Sequence, residues 1–467
     1  MRKCIAIPFI IALPILFLSC HRLSEGGKES SSSRKDSIVN HWINWNLAFS
    51  PTSASDSVNI ILNFEKYLNH WADSINPSAK LTFSFQYCPC DSFITNMDAT
   101  LLYGSGNPVP PPPNKPNPGP SGDYLLGNNF EMHIPAYEDS NYVNVNPKED
   151  SVKISYAASA ELFNKTLAVI DTGLDTALFN KAYPKTIWNG DLLWQDGPST
   201  LFDVVIGEPE HVLVDNGSVK HGTAATSVVL SQLIRARPKR IPKIMSIRAF
   251  DDSERGSIYT VTCALSYAIQ HHVDFINASW GYYGQGDSIL KKYLVKADSA
   301  HIRIIAAAGN TRGKHDPAQI CSASVNDNNN IELFKKDTLF YPACFAPDIA
   351  NLVSVTEIHA VPVSTNASKK IPCFYQNFSP KYITVGAFEE LHKTSICCAF
   401  SIPFLSEPIE GSSFATPVIT AILIHDLTQG QDIKNYIINN ALTATAPFGT
   451  PNTFYTNEGK YFPFVLK

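Results

Sequence analysis

Short, almost continuously apolar runs recur along the chain between stretches of helical period, and this alternation restricts the fold more than any other feature of the sequence. The runs fall at residues 167–170, 204–206, 244–247, 275–278, 302–307 and 352–355. Helical patterns occupy 221–234, 258–271 and 288–300. A strand with one wet face alternates apolar and polar residues, whereas a strand apolar throughout has to be covered on both sides. Helices between such strands supply the cover and the parallel crossovers. The expected class is therefore α/β, a doubly wound parallel sheet with helices on both faces. A single core of this kind can extend over roughly 280 residues, and the 44 % apolar content can fill it. In such sheets chemistry gathers outside the carboxyl ends of the strands, so the residues just past each run are the ones to read for function.

Three of these positions carry suitable groups, and a fourth lies at the start of a late apolar run. Val169-Ile170-Asp171-Thr172-Gly173 ends a strand on an acid, and Lys220-His221-Gly222-Thr223 opens a helix on a histidine. Ala306-Ala307-Ala308-Gly309-Asn310 ends another strand on an amide. Gly411-Ser412-Ser413-Phe414-Ala415-Thr416-Pro417 places a serine between small residues before the apolar run 418–427. A serine hydroxyl is a poor nucleophile until a base takes its proton and fixed donors receive the oxyanion. Singly each motif reads as an ordinary turn or cap.

The order Asp171, His221, Asn310, Ser413 resembles the subtilisin-like serine proteases, and the resemblance covers roughly residues 162–446. It implies Ser413 as nucleophile, His221 as general base and Asp171 as the group that orients the imidazole. It also implies Asn310 as an oxyanion donor beside the Ser413 backbone N–H. Further segments resemble the family without carrying catalysis. Phe275-Ile276-Asn277-Ala278-Ser279-Trp280-Gly281 corresponds to the substrate-pairing segment, which makes Ser279, Trp280 and Gly281 candidate substrate-binding residues. Asn377-Phe378-Ser379 with 382–387 resembles the stretch that precedes the nucleophile, and Tyr341-Pro342-Ala343 with 352–355 resembles the approach to a late core strand. One departure stands out: Ala224-Ala225-Thr226-Ser227 replaces the usual histidine, valine, alanine and glycine. A serine endopeptidase acting on a protein or peptide substrate is the expected function. A catalytically silent peptide-binding relative and an esterase or amidase with the same groups are the alternatives.

The N-terminal third reads differently. Arg2 and Lys3 precede an apolar stretch at 5–18 that is too short to span a bilayer stably, and Cys20 follows. Residues 1–20 resemble a bacterial lipoprotein signal, with Cys20 as the lipidated first residue, although Phe17 stands where leucine is usual. Ordinary signal cleavage is the alternative, and either route takes the chain out of the cytoplasm. The expected arrangement is a membrane-anchored, extracytoplasmic protein: a flexible tether at 21–37, a small α/β accessory or propeptide-like unit at 38–106, a proline-rich linker at 107–122 and the peptidase domain at 123–467. Within the small unit, residues 57–75 have helical spacing and 81–87 alternate as a strand does.

A net charge of -5 with no long basic stretch gives no footprint for nucleic acid. Ten cysteines are present. Export allows them to oxidise, and Cys321 with Cys344 could staple the Asn-rich insertion at 325–331. Neither Cys88-Pro89-Cys90 nor Cys397-Cys398 has the histidine spacing of a zinc site. No metal is required by the chemistry, and structural calcium, known in relatives, has no carboxylate cluster to which it can be assigned.

Overall fold

A computed structural model describes residues 38–49, 62, 65, 66, 69, 70, 73, 80–103, 124–128, 131–133, 165–178, 201–203, 215–217, 220, 221–235, 242–310, 339–364, 367–372, 376–379, 381–388, 411–428, 430–443 and 460–463. Cys20, the proline-rich stretch, Cys321, the 325–331 insertion and Cys397-Cys398 lie outside them.

Four antiparallel strands form the N-terminal sheet: β1 (Ile38–Phe49), β2 (Lys80–Cys88), β3 (Asp91–Tyr103) and β4 (Tyr124–Asn128), in the order β2-β3-β1-β4. Leu62, Glu65, Lys66, Asn69, His70 and Asp73 are helical, as the spacing predicts. The strand at 81–87 is β2. The pairing of β4 with β1 carries this sheet past the proline-rich segment, so the sheet does not end at residue 106. Prolines cannot donate to a ladder, and here they lie between two strands of one sheet.

The main sheet runs parallel through its centre. Its strands are β5 (Thr166–Asp171), β6 (Leu201–Asp203), β7 (Lys243–Arg248), β8 (Phe275–Ala278), β9 (Arg303–Ala307), β10 (Leu352–Ser364), β11 (Val385–Phe388) and β12 (Lys460–Pro463). They lie in the order β12-β11-β10-β9-β8-β5-β7-β6. Every neighbouring pair in that order is parallel. Antiparallel additions come from Ala367–Pro372 on β10 and Leu442–Thr443 on β12. A strand is described at Leu201–Asp203, and the expected strand at 204–206 lies outside the described residues.

The α-helices of this domain with described bounds are α1 (His221–Arg235), α2 (Ile258–Gln270), α3 (Ser288–Ser299), α4 (Ser412–Asp426) and α5 (Ile433–Asn440). The double cover can be followed residue by residue in β5. Leu167 and Val169 enter a core with Ala224 and Val228 of α1 and Val418 and Ile422 of α4. Ala168 and Ile170 enter the opposite core with Val261 and Leu265 of α2 and Leu290 of α3. That is why the run is apolar at successive positions. Capping fixes where the helices begin: Ser257 and Thr260 close a capping box on α2, and the Asp287 carboxylate accepts from Ile289 N and Leu290 N of α3.

The N-terminal sheet rests on α2 and α3. Asp91 Oδ2 accepts from Ser266 Oγ of α2 and Tyr293 Oη of α3, each at 2.8 Å, and a Cys88–Cys263 disulfide joins β2 to α2. Cys344, which the sequence offered as one possible partner of Cys321, is a buried free thiol. Thr226 and Ser227, the departure noted above, are accommodated inside α1. Their hydroxyls donate to Gly222 O and Thr223 O at 2.8 Å each, so neither is stranded in the core.

Candidate active site

Asp171 is the last residue of β5 and His221 the first of α1, and the parallel architecture delivers both to the same end of the sheet. β5 is also where the strand order reverses, since the chain adds β7 on one side and later β8 on the other. A crevice at such a switch point is the expected position for chemistry.

His221 Nδ1 lies 2.9 Å from Asp171 Oδ1 and 3.1 Å from Oδ2. A carboxylate only accepts, so Nδ1 carries the proton and Nε2 presents its lone pair. Thr172 N donates to Asp171 Oδ1 at 2.8 Å, which fixes the carboxylate in turn. Asp215, absent from the residues picked out in the sequence, fixes the first turn of the helix that His221 opens. Its Oδ2 accepts from Thr223 N at 2.9 Å and Thr223 Oγ1 at 2.7 Å, satisfying donors in the first turn of α1. Burial opposes the imidazolium. The Asp171 charge and hydrogen bond, with Glu254 and Asp215 behind them, outweigh that opposition and hold His221 above its ordinary value.

Ser413 enters from α4. Gly411 precedes the helix at φ 114, a left-handed conformation that a residue with a Cβ rarely adopts. Its N–H donates to Glu357 Oε2 at 2.7 Å. Glu357, fully buried in β10, thus anchors the turn that carries the serine. Sequence reading passed over it, although a carboxylate continuing the apolar run at 352–355 was the available signal. The ring of Phe414 packs against His221 with centroids 4.7 Å apart. Among the described residues His221 Nε2 has no hydrogen-bond partner, so the expected bond to Ser413 Oγ is not closed.

Asn310 follows β9. Its Oδ1 accepts from Ser412 N at 3.1 Å and Ser412 Oγ at 3.0 Å, which orients the amide and turns Nδ2 away from Ser412. A Cβ at Gly411 would lie 2.8 Å from that Nδ2, so glycine keeps this space open. Ser412 Oγ also accepts from Gly309 N at 3.0 Å. The loop is fixed from behind by Asn377 Nδ2 on Ala308 O at 2.7 Å and by Tyr283 Oη on Asn310 O at 2.9 Å. Ser412 and Tyr283 were missed because their role lies in orienting Asn310.

The substrate-binding candidates all have contacts within the protein. α4 begins at Ser412, so Pro417 lies beyond its first turn and removes the donor that Ser413 O would otherwise receive. Ser279 Oγ replaces it, donating to Ser413 O at 2.7 Å. Trp280 is fully buried, with its ring 6.1 Å from that of Phe250, and therefore points into the core. A Cβ at Gly281 would come within 2.4 Å of both the Phe340 ring and Tyr341 O, which makes it a close-approach position.

Among the described residues the one grouping of three potential metal ligands is Cys88, Cys90 and Cys263, between the N-terminal sheet and α2. No described helix is long and apolar enough to cross a membrane.

Comparison with known proteins places this geometry in context. The model of the subtilase family matches residues 164–459. Among solved structures, the chain is similar to a cold-adapted subtilisin-like serine proteinase, at 17 % identity, covering 67 % of this chain and 93 % of that one, with a TM-score of 0.41. It is also similar to a structure of the subtilase cytotoxin SubAB assembly, at 16 % identity over 67 % and 92 % of the two chains, with a TM-score of 0.43. Among curated proteins, none matches the chain in sequence.

Proposed function

Because the chain belongs to the subtilase family of serine peptidases, we propose that it is an active serine endopeptidase in which Ser413, His221 and Asp171 form the catalytic triad and Asn310 completes the oxyanion hole. The observation that carries this reading is the Asp171–His221 pair at 2.9 Å, set at the carboxyl end of β5 beside the start of α4. In the reaction Ser413 Oγ attacks the scissile carbonyl as its proton passes to His221 Nε2. The imidazolium then gives that proton to the leaving amine, and water repeats the cycle on the acyl-enzyme. Asn310 Nδ2 and the Ser413 N–H receive the developing oxyanion.

The second reading, a silent peptide-binding relative, draws on the open contact between His221 Nε2 and Ser413. Reaction with a fluorophosphonate probe separates the two. Wild-type protein labels and Ser413→Ala does not if the chain is an enzyme; an unlabelled wild type establishes the silent binder. Catalytic hydrogen bonds often tighten only with substrate bound, so the open contact does not by itself favour silence.

Asn310→Ala tests the oxyanion assignment. An amide aimed at the oxyanion stabilises the tetrahedral state more than the bound carbonyl, so turnover falls by about a hundred to a thousandfold while the Michaelis constant is nearly preserved. Turnover within threefold of wild type, accompanied by a lowered melting temperature, assigns Asn310 to the loop alone.

Acid should switch the enzyme off as His221 takes its proton. With His221 held above its ordinary value, the acid limb of kcat/KM lies above pH 6.5. Glu254→Gln removes a negative charge that favours the imidazolium, so the limb moves to lower pH. A limb unmoved, or moved upward, contradicts the electrostatics assigned to Glu254.

Outside the peptidase domain, we read Cys20 as a lipid-modified residue that holds the enzyme to a bacterial membrane, with residues 21–37 as tether. Cys20→Ala then transfers the protein from the membrane fraction to the soluble one. A wild type already soluble, with its mature N-terminus elsewhere, removes the anchor.

A further inference from the structure

Three sulfurs between the N-terminal sheet and α2 have no part in peptide hydrolysis. Cys88 ends β2, Cys90 follows after a single proline, and Cys263 is buried in α2. The Cys88–Cys263 disulfide spans 175 residues of sequence, while Cys90 remains a thiol. Cys90 Sγ lies 3.2 Å from Cys88 Sγ and 3.7 Å from Cys263 Sγ, so a nucleophilic sulfur flanks a disulfide to which it does not belong. It is held there by its surroundings. Gln270 Nε2 donates to Cys90 O at 2.9 Å, the Cys90 thiol reaches Cys263 O at 3.5 Å, and the adjacent Asp91 is fixed by Ser266 and Tyr293.

We propose that Cys88, Cys90 and Cys263 form a thiol–disulfide exchange site through which Cys90 opens the covalent link between the N-terminal sheet and α2. The step balances within the chain. The Cys90 thiolate attacks Cys88 Sγ, the Cys90–Cys88 bond forms and the Cys88–Cys263 bond breaks. The electron pair leaves on Cys263, which takes up a proton equivalent to the one Cys90 lost. No oxidant or reductant is consumed. The product has a disulfide closed within the β2–β3 turn, a free thiol on α2, and an N-terminal sheet that only non-covalent contacts hold to the helix layer.

Two features keep the site at rest. Cys90 approaches the disulfide from the side, so its side chain has to rotate to attack along the S–S axis. Burial, and after it the Asp91 charge, push the thiol up to about 12, leaving little thiolate at neutral pH. The exchange rate therefore rises about tenfold per pH unit below that value. Fully reduced, the same sulfurs would offer a soft three-thiolate set to a metal ion. The existing Cys88–Cys263 bond favours exchange.

The test uses the full chain under nitrogen at pH 7, 8 and 9, with acid quenching, denaturation, alkylation of free thiols and peptide mapping by mass. Alkylation should move from Cys90 to Cys263 with time, at a rate about tenfold higher for each pH unit, and Cys90→Ser should leave Cys263 unlabelled. Label confined to Cys90 at every pH overturns the proposal, as does label on Cys263 in the Cys90→Ser protein. Label on all three cysteines that one equivalent of zinc suppresses overturns it in favour of a metal site. Cys90→Ala serves if the serine variant does not fold, and the wild-type time course decides without either.

Discussion

Alanine at Ser413 or at His221 is expected to lower turnover by about a millionfold, and alanine at both to lower it little further. In the proposed mechanism the two side chains perform one act: without the hydroxyl the base has nothing to deprotonate, and without the base the hydroxyl is barely nucleophilic at neutral pH. Their surroundings make the pair a demanding test. Ser413 is 1 % exposed and His221 3 %, so neither change exposes a new polar surface, and the neighbouring Phe414 ring remains to fill space. Stability should therefore change far less than turnover. Turnover and melting temperature measured on the single and double variants, with a general protein substrate, check this. Losses that multiply in the double variant would mean that Ser413 and His221 do not act on the same proton.

What could be read from the sequence followed from local rules. Residues 167–170 are apolar at every position because both faces of β5 are covered, and Asp171 marks the end of that strand. Asp171 and His221 could be picked out because one closes and the other opens an element, and Asn310 because it follows a strand closely. The missed residues act across long separations. Glu357 meets Gly411 across 54 positions, and Ser412 meets Asn310 across 102. Nothing in a window around either residue encodes that meeting. Ser279 shows the same limit from the other direction. Its motif suggested substrate contact, yet a proline 138 residues later leaves Ser413 O in need of a donor, and Ser279 supplies it. The N-terminal sheet was underread because its strands are joined across a helical segment and a proline-rich stretch, and strand pairing has no local signature of partner. Cys263, inside an apolar helix, gave no hint that Cys88 was its partner.

Asp171→Asn is expected to keep the fold and lower turnover at neutral pH by about ten-thousandfold. Both carboxylate oxygens now face Nδ1, at 2.9 and 3.1 Å, and both can only accept. In the amide one of the two becomes an NH2 group. Thr172 N, 2.8 Å from Oδ1, requires an acceptor there and so sends the NH2 to the Oδ2 position. An N–H donor facing Nδ1 draws the imidazole into the tautomer whose proton sits on Nε2, where it can no longer take one from Ser413. The substitution also removes the strongest support for the imidazolium, so what activity remains should have its acid limb at lower pH than the wild type. Size is unchanged and the Thr172 bond is kept, which is why the melting temperature should move little. The kcat/KM profile from pH 5 to 10, taken together with thermal unfolding of the same preparations, decides the matter. Activity within tenfold of wild type, with the limb unmoved, would show that Asp171 neither orients nor charges His221.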